Sequence, residues 1–553
     1  MKGKKVDIKR SKKELISVLL LVTFLTFSFL TTTTHTASAQ TKTPIKHIIV
    51  IMLENHAFDS IYGTYPFGYP TIVNNITLSL MRPVNYIYNM SLLTQLKADG
   101  GNISWISLTY DGKVYHPYYA NSTVLKDPVE GYSNYHTDWD YGKMDGFING
   151  SGIQSLAYIS YEQAPLLWDY AEEYVLFDNY FSSTLSVTVP NRIDLITGFP
   201  APTNTDTPQF GILPINDSIL YQLSEYNISW GWYEYGYSPD YQLLSPDLYL
   251  GYNNTAPLPV SLLKGANAWN PHYYDLTDFI EQAKNGSLPA VSFVMATGMM
   301  GYDNHIPGYD MHPPYNTTLS MLFLMDIINS VMEGPDWSSS AIFITFDEGG
   351  GYYDPVPPPL IYGNGSQVFD PAITKYLPGY FTLGQRIPLL IISPYAKEGF
   401  IDNYTASTYS ILSFIDYNFN MPYLTPIVKE LGYQSILYAF NFSQHPRPPL
   451  ILTPENWTYP VPLQYPIHYG YVATINNNYS TYQMLYKKMG MNSTYTLPKY
   501  FLVANANTPT TTTIVKTTSK SGVNVMHEAG IALVVIILVG GIGYVAWKRF
   551  NKK

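Results

Sequence analysis

Four short apolar runs recur along the chain with little alternation of hydrophobic and polar positions: Ile45 to Met52, Ala290 to Met295, Ala341 to Phe346 and Ile387 to Ser393. A strand with one wet face alternates with period two, so unbroken β-branched runs predict strands covered on both faces, as in a parallel sheet. Between them the spacing switches to the helical period over Pro165–Tyr174 and Leu319–Met332. Strands alternating with helices predict a doubly wound α/β domain, where ligands gather beyond the carboxyl ends of the strands. The stretch 199–285 breaks this pattern and, being rich in Tyr and Pro, reads as an insertion or cap. No internal repeat is present.

Two further apolar stretches lie near the ends. Lys2, Lys4, Lys5, Lys9, Arg10, Lys12 and Lys13 precede an apolar run from Ile16 to Leu30, and Ala37-Ser38-Ala39 follows. That order predicts a secretory signal peptide over 1–39, or the same segment kept as an uncleaved N-terminal anchor, and either sends the following domain outward. Residues 527–547, almost wholly apolar from Ala529 to Trp547, are long enough to span a bilayer, and Lys548, Arg549, Lys552 and Lys553 place the tail 548–553 in the cytoplasm. The Thr-rich segment 501–526 reads as a stalk, so 44–500 is expected to be an extracellular domain on a single-pass anchor. Sequons at Asn75, Asn121, Asn227, Asn285, Asn316, Asn403, Asn456 and Asn492 fit a glycosylated exterior.

Composition narrows the chemistry. The chain of 553 residues carries a formal charge of -10 and shows no clustered basic face, which argues against nucleic acid as a partner. It has no cysteine, so disulfides and thiolate metal sites are excluded and any metal must rest on oxygen or imidazole nitrogen. With 46% hydrophobic residues it can bury a large core, and its 52 Tyr and 41 Pro suggest stiff amphipathic loops. The oligomeric state is not legible.

The predicted strand ends carry the candidate chemistry. After Met52 come Leu53-Glu54-Asn55, and after Phe346 come Asp347-Glu348 and then Gly349-Gly350-Gly351. Three carboxylates and an amide at one sheet edge repel unless a hard divalent cation neutralises them. A third element, Ser182 to Arg192, holds five hydroxyl side chains followed by Pro190-Asn191-Arg192. A hydroxyl there can act as nucleophile toward a phosphate gripped by a guanidinium and an amide, and the residue types alone do not choose among the five.

The segments Ile45–Pro66, Asp140–Ile148, Phe177–Gly198 and Phe346–Pro359 together resemble the phosphoesterase family of bacterial non-haemolytic phospholipases C and acid phosphatase A, in the same order. The resemblance implies an alkaline-phosphatase-like α/β/α sandwich with a largely parallel sheet. It further implies a divalent metal, of unspecified identity, on Glu54, Asn55, Thr188, Asp347 and Glu348, with Thr188 as the phosphoryl-accepting nucleophile. By the same resemblance Lys143, Arg192 and Asn191 would bind substrate, and His312 or His136 would handle the leaving-group proton. The chain departs from the family at Ser186-Val187, where Gly-Pro is common, at Val189, at Pro355 in place of a histidine, and at His56 in place of an arginine. His56 is expected to be a solvated loop residue, and Asp59 a turn residue or a supporting carboxylate. The expected substrate is a phosphate monoester or a phospholipid. Two other readings are a surface glycoprotein that keeps the fold for binding, and a sulfatase-like use of it; the latter needs a Cys or Ser at the nucleophile, and Thr188 is neither.

Overall fold

β1 (His47–Leu53) is buried at every residue after its first, which is why its sequence shows no alternation: both faces are covered. The computed structural model describes residues 40–65, 107–201, 204–206, 217–234, 272–296, 308–370 and 375–453, with backbone alone over 360–370 and 375–381 and at a few two-residue strands outside these ranges. All of this lies in the first of two units, which divide after Thr510. The remaining strands of the nine-stranded main sheet are β2 (Val175–Phe177), β3 (Trp230–Glu234), β4 (Tyr273–Asp275), β5 (Val291–Met295), β6 (Ser340–Phe346), β7 (Leu389–Ile392), β8 (Phe400–Asp402) and β9 (His468–Tyr469). They lie in the order β4-β3-β5-β1-β6-β7-β2-β8-β9. β7 runs antiparallel to both neighbours, and the other pairings are parallel.

The mostly parallel sheet and the positions of all four apolar runs follow the sequence reading. β6 is buried along its whole length, like β5, so helices and loops cover both faces. The register decides where the chemistry goes. Leu53 pairs with Phe346, and Met52 with Met295, so Glu54-Asn55 and Asp347-Glu348 leave the sheet side by side at its carboxyl end.

The helices that matter for the site are α1 (Phe58–Tyr62), α2 (Tyr132–Trp139), α3 (Pro165–Glu173), α4 (Thr188–Thr197), α5 (Leu276–Asn285), α6 (Thr317–Glu333) and α7 (Thr408–Asn418). α3 and α6 fall on the predicted helical stretches. α4 tolerates Pro190 because a first-turn residue has no intrahelical use for its N–H, and it stops at Gly198, whose φ of 64° is open to glycine at little cost.

Two expectations are corrected. Part of the supposed insertion belongs to the main sheet: Trp230–Glu234 is buried throughout as β3, and Tyr273–Asp275 pairs with it as β4. The aromatics Trp230, Trp232 and Tyr233 of β3 and Tyr273 of β4 are core residues. Among the sequons, Asn121, Asn227 and Asn285 are exposed. Asn403 is buried and its Nδ2 donates to Asp178 at 2.8 Å, so it does not fit a glycan site as it stands. Among the described residues no helix is long and apolar enough to cross a membrane. The expected signal, stalk, span and tail lie outside the described residues, apart from the backbone of Val503–Ala504, which pairs with the strand Leu360–Asp370.

Several acids sit inside this core without a cation. Asp402, beneath the Tyr404 amide, and Asp416, holding the Leu424 amide, are each pushed up to about 8 by burial. An acid whose pKa is higher folded than unfolded binds its proton more tightly in the native state. Its contribution to stability is therefore complete below the unfolded carboxylate range and is lost as pH rises through about 8. Thermal unfolding is expected to give a melting point lower by about 5 °C or more at pH 8.5 than at pH 5. Asp402→Asn, which keeps an acceptor for Tyr404, should flatten that slope. A slope of opposite sign, or one unchanged by the substitution, would refute the assignment.

Candidate active site

The two strand ends are stitched together before any side chain is considered. The Asp347 amide donates to the Leu53 carbonyl at 3.0 Å, and the His56 amide to the Glu348 carbonyl at 3.1 Å. Asn55 turns the chain with φ 62°, a left-handed conformation that asparagine tolerates. Gly350 packs so close that a Cβ would lie 2.3 Å from the Asn55 carbonyl oxygen, which is what the glycine run after Glu348 makes possible. Asp347 Oδ1 accepts from the amides of Asn55 and Glu348, and Glu348 accepts from Tyr135 Oη at 2.7 Å and the Gly350 amide at 2.5 Å.

Arg192 stands between the acids. Its Nη2 donates to Glu54 at 2.8 Å and its Nε to Asp347 at 3.0 Å, while Nη1 meets the Met295 sulfur at 3.1 Å. All three side chains are buried. Thr188 precedes Arg192 by four residues on α4, so the two project from the same face of the helix. That places the Thr188 hydroxyl, which makes no hydrogen bond to another described residue, on the side where Arg192 gathers Glu54 and Asp347.

Asn191 fixes the loop that leads to Thr188. Its Oδ1 accepts from Ser183 Oγ at 2.8 Å and the Thr184 amide at 3.0 Å, and its Nδ2 donates to the carbonyls of Ser186 and Val187 at 3.0 and 3.1 Å. Both ends of the amide are fully occupied by the loop itself. The start of α4 is closed by Asp206, whose Oδ1 accepts from the Val189 amide at 2.9 Å.

More acid surrounds this pair than the sequence suggested. Asp310 is buried and accepts from the His312 amide, and burial with Glu54 nearby pushes it up to about 8. Burial raises Glu54 to about 8 as well, outweighing the pull of Arg192. Asp206 is raised to about 6 by burial and by Asp347, and Glu348 is driven well above the usual carboxylate range. Glu54 Oε2, Asn55 Oδ1 and Asp310 Oδ2 are buried acceptors with no hydrogen-bond donor. Of the expected ligands, Glu54 Oε2 and Asn55 Oδ1 are thus open oxygens that a divalent cation could take, while Asp347 and Glu348 already accept from Arg192, Tyr135 and backbone amides.

The profile of the phosphoesterase family matches residues 45–422 of this chain. The chain belongs to the phosphoesterase family. Among curated relatives, a non-hemolytic phospholipase C of Burkholderia pseudomallei (strain K96243) is 26% identical over 447 residues, covering 72% of this chain and 59% of the relative. Phospholipase C B of Mycobacterium tuberculosis is 24% identical, covering 73% of this chain and 79% of the relative. Non-specific phospholipase C6 of Arabidopsis thaliana is 25% identical, covering 68% and 67%. The chain thus spans well under two thirds of the Burkholderia relative. A solved alkaline phosphatase superfamily protein from Vibrio parahaemolyticus aligns over 63% of this chain and 78% of its own, at 13% identity and a TM-score of 0.29, too loosely to inform the site. The resemblance read from the four segments is therefore correct, and it supports the expectation of a phosphoric ester hydrolase.

In this member of the family the structure gives several of the expected residues other partners. The Arg192 guanidinium is bonded to Glu54 and Asp347, and the Asn191 amide to its own loop. Lys143 is engaged by Asp140 at 2.5 Å with Asp145 beside it, not by the strand-end acids. His136 donates to the Tyr132 carbonyl and packs on Tyr132 and Trp139, and burial depresses it to about 4. His56 is buried, stacked on Tyr352 at 4.9 Å and depressed to about 3, not solvated. Asp59 is a supporting carboxylate: Arg386 joins it to Asp354. His312 does reach the site, with Nε2 3.5 Å from Glu130. The sequence reading missed Tyr135, Glu130, Asp206 and Asp310. Asp310 carried one signal, its position two residues before His312; the others come from segments with no periodicity.

Proposed function

We propose that this chain hydrolyses phosphoric esters of the phospholipase C type through a phosphothreonine at Thr188, acting outside the cell from a membrane anchor at 527–547. The observation that carries the reading is Thr188 one helical turn before the Arg192 fork that gathers Glu54 and Asp347. The relatives named phospholipases C favour a phospholipid over a simple monoester. The two apolar ends of the sequence favour export and anchoring.

Thr188 Oγ1 attacks phosphorus, the bond to the leaving oxygen breaks, and that oxygen takes up a proton; water then attacks, and the Oγ1–P bond breaks to restore the hydroxyl. Asn191 keeps the hydroxyl in place by locking its loop. Arg192 holds Glu54 and Asp347 apart from each other, and Tyr135 orients Glu348. A divalent ion held by Glu54, Asn55, Asp347 and Glu348, with Thr188, would supply charge stabilisation at the phosphoryl oxygens and ease deprotonation of the hydroxyl.

The test is release of p-nitrophenol by the full chain from p-nitrophenyl phosphorylcholine and from p-nitrophenyl phosphate, with and without chelator. Chelation should lower turnover by about 10^3-fold, restored by divalent metal, and the diester should be preferred. Preference for the monoester would make the chain a phosphatase. Absence of turnover on either ester and on phospholipid vesicles would leave the surface-glycoprotein reading in its place.

A further inference from the structure

Beside the strand-end acids lies a second group of donors. Asp127 is exposed, Glu130 half-buried and His312 buried, and one ligand atom from each lies within 4.8 Å of the others. The carboxylates of Asp127 and Glu130 are hydrogen-bonded to each other, an arrangement that requires a proton or a cation between two acids. Further acid faces them, for Glu348 and Asp206 both bear on Glu130. Among the described residues no lysine or arginine pairs with Asp127 or Glu130.

His312 is the independent observation. Its Nδ1 lies 2.5 Å from the Pro313 carbonyl, which can only accept, so Nδ1 carries a proton and Nε2 is the nitrogen left to face the carboxylates or a metal. Nε2 is buried, aimed at Glu130 from 3.5 Å, and has no hydrogen-bond partner. An imidazole whose far nitrogen is anchored to a backbone carbonyl while the near one points into a pair of carboxylates is arranged as a metal ligand. Asn55 links the two places: its Nδ2 donates to Glu130, and its Oδ1 is among the unpartnered oxygens of the strand-end set.

We propose that Asp127, Glu130 and His312 form a second divalent-metal site beside the one at the strand ends. Two carboxylates and one imidazole favour a borderline ion such as zinc or manganese over calcium or magnesium, which prefer oxygen throughout. Three protein ligands leave coordination open for a water or a substrate oxygen, as in catalytic zinc sites. Resting on the phosphoesterase reading, this assigns His312 and Glu130 to meeting the charge of the leaving oxygen as ligands, in place of proton transfer from His312.

Metal stoichiometry tests it without recourse to activity. The full chain, stripped with chelator, is titrated with zinc and with manganese, and bound metal per chain is measured for the native protein, Asp127→Asn, His312→Ala and Asp347→Asn. Two equivalents are expected for the native chain. Asp127→Asn and His312→Ala should each weaken one equivalent by about 10-fold or more and leave the other, while Asp347→Asn weakens the other. Asp127 is exposed, so its variant reads the site even if His312→Ala unfolds. A single equivalent lost only in Asp347→Asn overturns the second site and leaves the proposed function standing. A single equivalent lost in Asp127→Asn but kept in Asp347→Asn does the reverse, and absence of binding overturns both.

Discussion

Thr188→Ala is expected to lower turnover of a phosphate diester by about 10^4-fold or more, with the melting point shifted by only a few degrees. The hydroxyl makes no hydrogen bond to another described residue, so its loss costs the fold little. The Asn191 clamp and the Arg192 fork do not depend on it and should persist. Thr188→Ser keeps the attacking oxygen and should retain most of the rate. Acid quench of the native enzyme during turnover should leave phosphate on the peptide containing residue 188, and the alanine variant should show none. Full turnover by Thr188→Ala would end the nucleophile assignment.

The largest structural effect is expected at Arg192. Arg192→Met fills similar space but leaves Glu54 and Asp347 buried beside each other without their shared cation. Removing one partner of a buried ion pair costs about 3–5 kcal/mol, because the charge left behind has no solvent to take its place. Glu54 already has its pKa raised to about 8, so below that pH it carries a proton and the loss is smaller. Denaturant unfolding in the presence of chelator should therefore show a deficit that grows from pH 5 to pH 8.5. Added divalent metal should recover part of it by substituting for the guanidinium. Arg192→Lys keeps the charge but cannot serve both acids with one planar fork, and should fall between the two. An Arg192→Met protein as stable as the native one at pH 8.5 would mean that the acids are not buried in solution.

What the sequence disclosed here depended on locality. Glu54-Asn55 and Asp347-Glu348 were legible because each pair directly follows a strand whose apolar run announces itself, and parallel register brings them level. Thr188 needed the family resemblance, since five hydroxyls compete in its loop. Arg192 and Asn191 read as substrate ligands because they are polar residues beside a nucleophile; what only the fold discloses is that both are buried with hydrogen bonds to Glu54, Asp347 and the loop. Glu130 and Tyr135 come from irregular chain or a short polar helix, and only the tertiary fold brings them against Asn55 and Glu348. Trp230-Gly231-Trp232-Tyr233-Glu234 misled in the opposite sense, because an aromatic-rich run reads equally well as part of an insertion or cap and as a buried strand.

The strand order also sets a timetable. A chain emerging from its amino end makes β1 first, yet its partners are β5 and β6, and Ile48 meets Val291 only after most of the domain has been synthesised. β2 waits longer, for β7 and β8. The earliest main-sheet pairing open to the growing chain is β3 with β4. Until residue 291 and beyond are available, the strand that will carry Glu54 and Asn55 is an unpaired apolar ribbon, so assembly is governed by long-range closure and is slow. Under the proposed export this delay is serviceable: a chain that cannot close its sheet early remains threadable until nearly all of it has been made.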